Sequence, residues 1–290
     1  MIREIGYGKV NLALQITGRR DDGYHMIDTV FQSIGLCDTI TLTDADAFSL
    51  TASLDGLPCD ETNLAYKAYR AICDYTGTTK GVAIHLDKHI PMAAGLAGGS
   101  TDCAAVLRGL NRLWNLGLSL DTLASMGARL GADVPFCVYG GTMRGQGIGD
   151  VLTPLPTLPQ WDILVVHPHT TVQTKDAYAL FDTTAPQVDV DVAAVIKAIT
   201  EQDQGALIAS MGNTFVRLVQ PVVPEITTCY DLLRGHGLVP LVSGSGPTNF
   251  ALVPPTKDID TIYTALLQET YIDVYKTTLT GGEYNPHETD

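Results

Sequence analysis

The alternation of apolar and polar residues predicts that the opening third of the chain is mostly antiparallel sheet. In the segment KVNLALQIT, residues 9–17, apolar side chains alternate with Lys9, Asn11, Ala13 and Gln15. This period of two is typical of a strand with one buried face. The turn GRRDDG follows this strand. Runs rich in β-branched or aromatic residues predict further strands over residues 29–36, 39–43 and 48–53.

Farther along the chain, apolar residues recur at intervals of three and four, which indicates helices. Val106, Leu110, Leu113 and Trp114 follow this spacing, and Gly117 is placed to end their helix. The other predicted helices cover residues 63–75, 120–130, 191–200, 225–234 and 259–268. The other predicted strands cover residues 81–86, 136–139, 161–167, 238–242 and 249–253.

Chain length and a proline-rich segment predict two domains. The 290 residues exceed the usual size of one core. Three prolines between residues 151 and 160 interrupt any regular element, so we place a boundary near Leu155. We therefore predict an α+β protein with domains 1–155 and 156–290.

Composition and charge narrow the class of protein. With 45% apolar and 17% charged residues, the chain can bury a large core. A net charge of −14 argues against a nucleic-acid or anionic-membrane partner, since both need a positive field. The sequence has neither a membrane-length apolar run nor a secretory leader, which predicts a cytoplasmic location. Six cysteines without a CxxC pair are interpreted as small buried thiols.

The segment PMAAGLAGGSTD, residues 91–102, places a glycine-rich loop directly before the helix that contains Val106. A helix N-terminus has unpaired N–H groups, and small residues allow phosphate oxygens to approach them. Ser100 and Thr101 add hydroxyl groups that can bind phosphate or help to hold magnesium. The loop therefore suits a polyphosphate, although an ordinary connector between strand and helix fits the pattern equally well.

Other nucleotide and catalytic fingerprints do not match. The chain has no GxxxxGK[ST] segment and no GxSxG segment. Gly145, Gly147 and Gly149 form GxGxG, which lacks the spacing and the following helix of a dinucleotide site. His167 and His169 have no obvious third ligand and are interpreted as surface or packing residues.

Three ordered motifs then carry a resemblance. They are KVNL at the start, the glycine-rich loop, and VSGSGP at residues 242–247. Together they resemble the GHMP kinase superfamily of small-molecule kinases. Within it, KVNLALQITGRRDDGYHMIDTVFQ, IPMAAGLAGGSTDCAAVLRGLN and LGADVPF resemble the 4-diphosphocytidyl-2-C-methylerythritol kinases of the non-mevalonate isoprenoid pathway. The resemblance implies a ribosomal protein S5 domain 2-like N-terminal domain and a C-terminal α/β-sandwich domain.

The same resemblance implies transfer of the γ-phosphoryl group of ATP to the 2-hydroxyl of a cytidine diphosphate sugar alcohol. Asp133 takes the position of the catalytic base, and Lys9 that of the cation that keeps it charged and orients the acceptor oxygen. Asn11 would bind the methylerythritol hydroxyls. Residue chemistry alone favours the other interpretation, in which Asp133 caps a turn and Lys9 is a solvated edge residue.

For the cytidine, the resemblance implies a binding site built from Tyr24, His25, Thr174 and Tyr178. Aromatic rings that stack on a base contribute about 1–3 kcal/mol each. The backbone of His25 could also read the base edge. Half-buried packing is the alternative role for Tyr24 and Tyr178.

For ATP, the resemblance implies a site near the glycine-rich loop, with magnesium required by the reaction but its ligands unassigned. Asn63 and Lys67 resemble positions near the adenosine. The loop residues assigned to the nucleotide are Pro91, Met92, Ala93, Ala94, Gly95, Leu96, Ala97, Gly98, Gly99, Ser100 and Thr101.

Two departures from the family pattern keep alternatives open. Tyr7 and Gly8 precede Lys9 where the family commonly has Pro-Ala, and alanines replace glycines in the loop. Alanine allows the same close approach unless its φ is positive. A GHMP kinase with another small acceptor, of the homoserine or mevalonate type, and a non-catalytic nucleotide-binding relative are the alternatives.

Overall fold

The structure, a computed structural model, describes residues 1–184 and 189–282. Two stretches of the predicted second domain, residues 185–188 and 283–290, lie outside the described part. The strands are β1 (Ile2–Arg19), β2 (His25–Ala45), β3 (Ser49–Ala52), β4 (Gly81–Asp87), β5 (Thr142–Gln146), β6 (Val151–Pro154), β7 (Asp162–Pro168), β8 (Gly212–Asn213), β9 (Leu241–Val242), β10 (Asn249–Leu252) and β11 (Ile272–Thr278). The helices are α1 (Leu64–Thr76), α2 (Gly98–Leu113), α3 (Leu120–Ala128), α4 (Val134–Tyr139), α5 (Thr174–Thr183), α6 (Val192–Glu201), α7 (Gln204–Ser210), α8 (Val216–Val219), α9 (Pro224–Gly235) and α10 (Ile259–Leu266). None of these helices is long and apolar enough to cross a membrane.

The first sheet is built around the long antiparallel pair β1 and β2. Its strands follow the order β3-β4-β2-β1-β8, and β5 pairs with both β2 and β6. The two strands predicted over residues 29–36 and 39–43 are parts of the single strand β2. A shift in register between Cys37 and Ser33 on β2 coincides with the interruption in the apolar pattern.

The prediction that β1 has one buried face is wrong, because both of its faces are buried. Val10 and Leu12 are 0% exposed on one face, while Lys9 and Asn11 are 3% and 1% exposed on the other. Helix α2 and the elements of the C-terminal half cover this central strand. Its polar residues therefore lie in the interior of the molecule, and Lys9 is not a solvated edge residue.

The predicted strand at residues 136–139 is also wrong, because these residues belong to helix α4. Pro135 lies in the first turn of the helix, where its fixed φ fits and no N–H is needed. A run as short as PFCVY cannot show helical periodicity, so the apolar pattern alone leaves strand and helix unresolved. Asp133 consequently occupies the N-cap position between helices α3 and α4, and not a helix-to-strand junction.

The second sheet has the antiparallel order β11-β7-β10-β9. Its face toward the first sheet shares a buried apolar cluster with β1 and β2, to which Val10, Ile34, Ile163, Phe250 and Leu279 contribute. Helices α9 and α10 pack on the opposite face. The α+β class predicted from the sequence is confirmed.

Five elements of this half escaped the sequence prediction, namely α5, α7, β8, α8 and β11. Helix α5 buries Ala177 as its only fully buried described residue, so its apolar pattern is weak. Strand β11 carries charged and polar side chains in alternation with Ile272 and Val274, and Tyr271 and Tyr275 blur that alternation. Helix α5 is the element that completes the site described next.

Candidate active site

A cavity of about 630 Å³ lies where β1, the β1–β2 turn, the glycine-rich loop, the start of α4 and helix α5 meet. All seven residues that the sequence assigned to catalysis or to the acceptor line this cavity. They are Lys9, Asn11, Tyr24, His25, Asp133, Thr174 and Tyr178. Gly95 and Ser100 of the glycine-rich loop and Gly244 and Ser245 of the VSGSGP loop line it as well. The cavity therefore brings together all three motifs, which are far apart in the sequence.

The Lys9 ammonium is held in place at the floor of this cavity. Its Nζ donates to Asn11 Oδ1 at 2.8 Å, and Asn11 Nδ2 donates to Thr29 Oγ1 at 2.8 Å. The same Nζ lies 3.7 Å from Asp133 Oδ2. The lysine side chain is 4% exposed and the Asp133 side chain is 36% exposed. This leaves a fixed cation beside a carboxylate that faces the open cavity, where it can reach a proton of a bound molecule.

The glycine-rich loop is pressed against the VSGSGP loop. Gly95 has φ of +76°, and a Cβ at this residue would lie 2.3 Å from the Ser243 carbonyl oxygen. Ser243 Oγ donates to the Gly95 carbonyl at 2.9 Å. Only glycine fits this contact without displacing backbone.

Two alanines of the loop adopt the left-handed conformation that glycine would favour. Ala93 has φ of +51° and Ala97 has φ of +62°. Ala97 occupies the N-cap position of α2 and gives no side-chain cap. The first N–H groups of α2, from Gly98 onward, are therefore available to an anion.

The two hydroxyl residues after the glycines have different surroundings. Thr101 is buried, and its Oγ1 donates to the Tyr7 carbonyl at 2.9 Å, so it fastens α2 to β1. Ser100 lines the main cavity. Of the two hydroxyls, Ser100 is the one placed to meet a ligand in that cavity.

A second cavity, of about 260 Å³, lies on the other side of the glycine-rich loop. Asn63 lines it, but Asn63 Nδ2 donates to the Pro58 carbonyl at 2.6 Å and its Oδ1 accepts from Ala65 N at 2.8 Å. Asn63 therefore caps α1 and shapes the wall of the cavity. Lys67, the other residue predicted near the adenosine, is not among the residues that line it.

The floor of this second cavity holds an ion cluster that the sequence analysis missed. Lys88 Nζ donates to Asp38, and it donates to Asp102 Oδ2 at 2.5 Å. Asp102 Oδ1 is buried and has no hydrogen-bond partner among the described residues. Burial raises the pKa of Asp102 to about 7, since it outweighs the opposing effect of Lys88, and the charge of Asp38 adds to the increase. One ammonium thus serves two carboxylates.

At the opposite end of the main cavity, His25 and Tyr178 are stacked on each other. Their ring centroids are 4.5 Å apart with an interplanar angle of 16°. Tyr24 is 62% exposed at the same end. Burial, followed by the charge of Asp133, raises the pKa of Tyr178 to about 12, so its phenol remains protonated at neutral pH. The stacked contact thus leaves no room for a base between His25 and Tyr178.

Comparison with known proteins identifies the family. Residues 63–141 match the family model for the GHMP kinase N-terminal domain, and residues 195–273 match the model for the GHMP kinase C-terminal domain. A 4-diphosphocytidyl-2-C-methyl-D-erythritol kinase of Geobacillus sp. (strain WCH70) is 40% identical over 262 residues, which cover 89% of this chain and 90% of the relative.

Solved structures give the same result. A 4-(cytidine 5′-diphospho)-2C-methyl-D-erythritol kinase has a TM-score of 0.81 and 30% identity, with 97% of this chain and 100% of that chain covered. A homoserine kinase from Cytophaga hutchinsonii, with a TM-score of 0.76, 20% identity and coverage of 97% and 95%, shares the fold. The resemblance predicted from the three motifs is confirmed, and the chain belongs to the GHMP kinases and, within them, to the 4-diphosphocytidyl-2-C-methyl-D-erythritol kinase family.

Proposed function

We propose that this protein transfers the γ-phosphoryl group of ATP to the 2-hydroxyl of 4-diphosphocytidyl-2-C-methyl-D-erythritol, a step of the non-mevalonate route to isoprenoid precursors. The relatives named above carry this activity in their names. The observation that carries the proposal is the Lys9–Asp133 pair, at 3.7 Å, in a cavity that the glycine-rich loop also lines. In a kinase, the base and the phosphate-binding loop must line the same cavity, so that the acceptor hydroxyl meets the γ-phosphate.

In the proposed reaction the acceptor hydroxyl lies between Lys9 and Asp133. Asp133 accepts the hydroxyl proton while the oxygen forms a bond to the γ-phosphorus. The bond from that phosphorus to the β–γ bridging oxygen breaks, and ADP leaves. Lys9, held by Asn11, compensates the negative charge on the acceptor oxygen without having to reorganise. The protein thus contributes alignment and charge, which is most of what phosphoryl transfer requires.

We propose that the phosphates of ATP lie along residues 91–101, at the N-terminus of α2, and that the adenosine occupies the second cavity. This arrangement is supported by the uncapped first turn of α2 and by the position of Asn63 on the cavity wall. Lys67 lies one turn after Asn63 and stays in the proposal as a residue near the nucleotide. Ser100 would approach the phosphates from the main cavity.

We propose that the cytosine lies at the Tyr24 end of the main cavity. The exposed Tyr24 ring offers one stacking surface, and Tyr178 lies behind His25. Since the His25 side chain is occupied by its contacts with α5, its backbone is the part that would read the base edge. Thr174 lies at the start of α5, where its Oγ1 is 3.2 Å from Ser245 Oγ. We propose that its hydroxyl contacts the diphosphate of the cytidyl substrate.

Magnesium is part of this proposal as the ion that accompanies ATP. It prefers oxygen ligands and keeps waters and substrate phosphates around it. No group of three His, Cys, Asp or Glu side chains among the described residues could hold a metal alone. The phosphates would therefore supply most of the ligands, and the Ser100 hydroxyl would add one from the cavity wall. Bound there, the ion would neutralise phosphate charge.

We also propose the division of the chain into residues 1–155, which bind ATP and carry the catalytic pair, and residues 156–290. The two family models fall on either side of the boundary near Leu155, which supports it. A cytoplasmic location follows from the proposed use of ATP and stays a proposal.

The test is an ADP-release assay with ATP, magnesium and the cytidyl substrate, alongside homoserine, mevalonate and no acceptor. Release only with the cytidyl substrate is expected. Release with another acceptor would overturn the assigned substrate, and binding of ATP without any release would favour a non-catalytic relative.

The catalytic assignment is tested by Asp133→Asn. Loss of a general base lowers turnover by about 10²- to 10⁴-fold, and we expect kcat to fall in this range while the KM for ATP changes little. Asp231→Asn, an exposed carboxylate on α9, is the matched control and should keep wild-type kinetics. Unchanged turnover in the Asp133 variant would remove this residue from the mechanism.

A further inference from the structure

We propose that Asp182 is a positioning residue for the cytidine end of the site: it fastens the β1–β2 turn, and with it Tyr24, to helix α5. This inference rests on the proposed function, because it concerns how the cytidyl substrate is held. It assigns a role to a carboxylate that neither the motifs nor the catalytic chemistry uses.

One face of α5 is built to hold the imidazole of His25. Tyr178, Phe181 and Asp182 follow the i, i+3, i+4 spacing that brings side chains together on a helix. Tyr178 stacks on the His25 ring, Phe181 meets it edge-on at a centroid distance of 5.8 Å, and Asp182 Oδ1 lies 2.7 Å from His25 Nε2. The His25 side chain is 7% exposed. The His25 imidazole is therefore held by side chains of α5, and it is not free to stack on a base.

The second oxygen of Asp182 holds the other stem of the same turn. Asp182 Oδ2 lies 3.3 Å from Arg19 Nη1. Arg19 and His25 are paired across β1 and β2, where the turn begins and ends. Arg19 Nε in addition donates to the Gly23 carbonyl at 3.2 Å, inside the turn. One carboxylate thus binds the residues at both ends of the five-residue connection 20–24, and one of its partners, Arg19, also donates to a carbonyl inside the connection.

The residue that this arrangement presents is Tyr24, which lies beside His25 and projects its ring at the rim of the cavity. Asp182, His25 and Arg19 line the same cavity. A partly exposed ion pair contributes little to the stability of a whole protein. We expect this ion pair instead to restrain the short exposed turn, so that its loss displaces Tyr24 and weakens binding of the base. Lys9 and Asp133 pair with each other and not with Asp182, so their arrangement should stay intact.

The experiment compares Asp182→Ala with Asp176→Ala. Asp176 is exposed on the same helix and does not line the cavity, so it controls for loss of an acidic residue from α5. We expect Asp182→Ala to raise the KM for the cytidyl substrate about five- to tenfold, while kcat and the KM for ATP stay near wild type. Asp182→Asn keeps one oxygen that can accept from the imidazole but loses the ion pair with Arg19, and should recover part of the loss.

Equal KM values for Asp182→Ala and Asp176→Ala would overturn the proposal. It would also be overturned if kcat and both KM values changed together, since that result marks a general loss of structure. Calorimetry with cytidine 5′-diphosphate makes the same comparison without turnover, and weaker binding only in Asp182→Ala supports the role. Wild-type turnover of the cytidyl substrate tests the proposed function separately, so failure of one proposal is distinguishable from failure of the other.

Discussion

The contact between the glycine-rich loop and the VSGSGP loop leaves no room for a side chain at Gly95. Replacing Gly95 by alanine has two costs that the structure separates. Its φ of +76° is left-handed, which costs a residue with a Cβ about 1–2 kcal/mol. The added Cβ would also lie 2.3 Å from the Ser243 carbonyl oxygen and 3.0 Å from that of Gly246.

Neither neighbour can yield cheaply, because both atoms belong to backbone. Overpacking of this kind costs about 1–3 kcal/mol, so the sum for Gly95→Ala is about 2–5 kcal/mol. A typical domain is stable by only about 5–15 kcal/mol. The variant should therefore be strongly destabilised, and the glycine-rich loop should lose its shape before the rest of the fold unfolds.

The assay is urea unfolding followed by circular dichroism, with Gly99→Ala as the matched control in the same loop. A Cβ at Gly99 would meet only Leu64 Cδ1, at 3.7 Å, and the residue lies in the first turn of α2. The control should be unchanged or up to about 1 kcal/mol more stable. The Gly95 variant should unfold at a midpoint roughly 1 M or more below wild type. Equal midpoints for the two variants would refute the assigned contact.

Three further predictions use other parts of the structure. Ala97→Gly should stabilise the protein by about 1 kcal/mol in urea unfolding, because φ of +62° at an N-cap suits glycine; a loss of stability would contradict this. The pKa of Asp102 is raised, so its stabilising contribution is fully present below the unfolded value of 3.8 and is lost as the pH rises through about 7. Asp102→Asn should therefore gain stability relative to wild type between pH 4 and pH 7, and a gap that does not change with pH would refute the shift. Ellman's reagent should label the exposed Cys59 fast and Cys103 and Cys137 only on unfolding, since burial raises the pKa of both buried thiols; fast labelling of either would be inconsistent with the packing.

The local apolar pattern was sufficient to predict the type and the bounds of a helix where that helix buries one regular face. Helices α6 and α10 follow a clear apolar period and begin at side-chain caps, Asp191 and Asp258. Their predicted bounds lie within two residues of those in the structure. The same method failed at α4, where a short apolar run carries no period, and at α5, which exposes most of its surface.

Only those site residues that belong to a family motif could be predicted from the sequence. Lys9 and Asp133 were paired by resemblance, and their 3.7 Å separation in the structure is the result of a strand and a helix start meeting across the fold. The cluster of Asp38, Lys88 and Asp102 joins three segments with no local signal in common. Such contacts are set by how the sheet and helices pack, which no single segment of the sequence encodes.

The shared apolar cluster between the two sheets bears on the order in which the protein can fold as it is synthesised. Strand β8 completes one edge of the first sheet beside β1, and β11 completes an edge of the second sheet. The chain then returns to β2, where Leu279 pairs with Ile34 and Thr280 N donates to the Ser33 carbonyl. A nascent chain that has not reached these late segments leaves apolar surface of β1 and β2 uncovered, and such surface favours aggregation until it is buried. Lys9 and Asp133 lie in the first half of the chain, but the cavity that they line is complete only after Ser245 has been made.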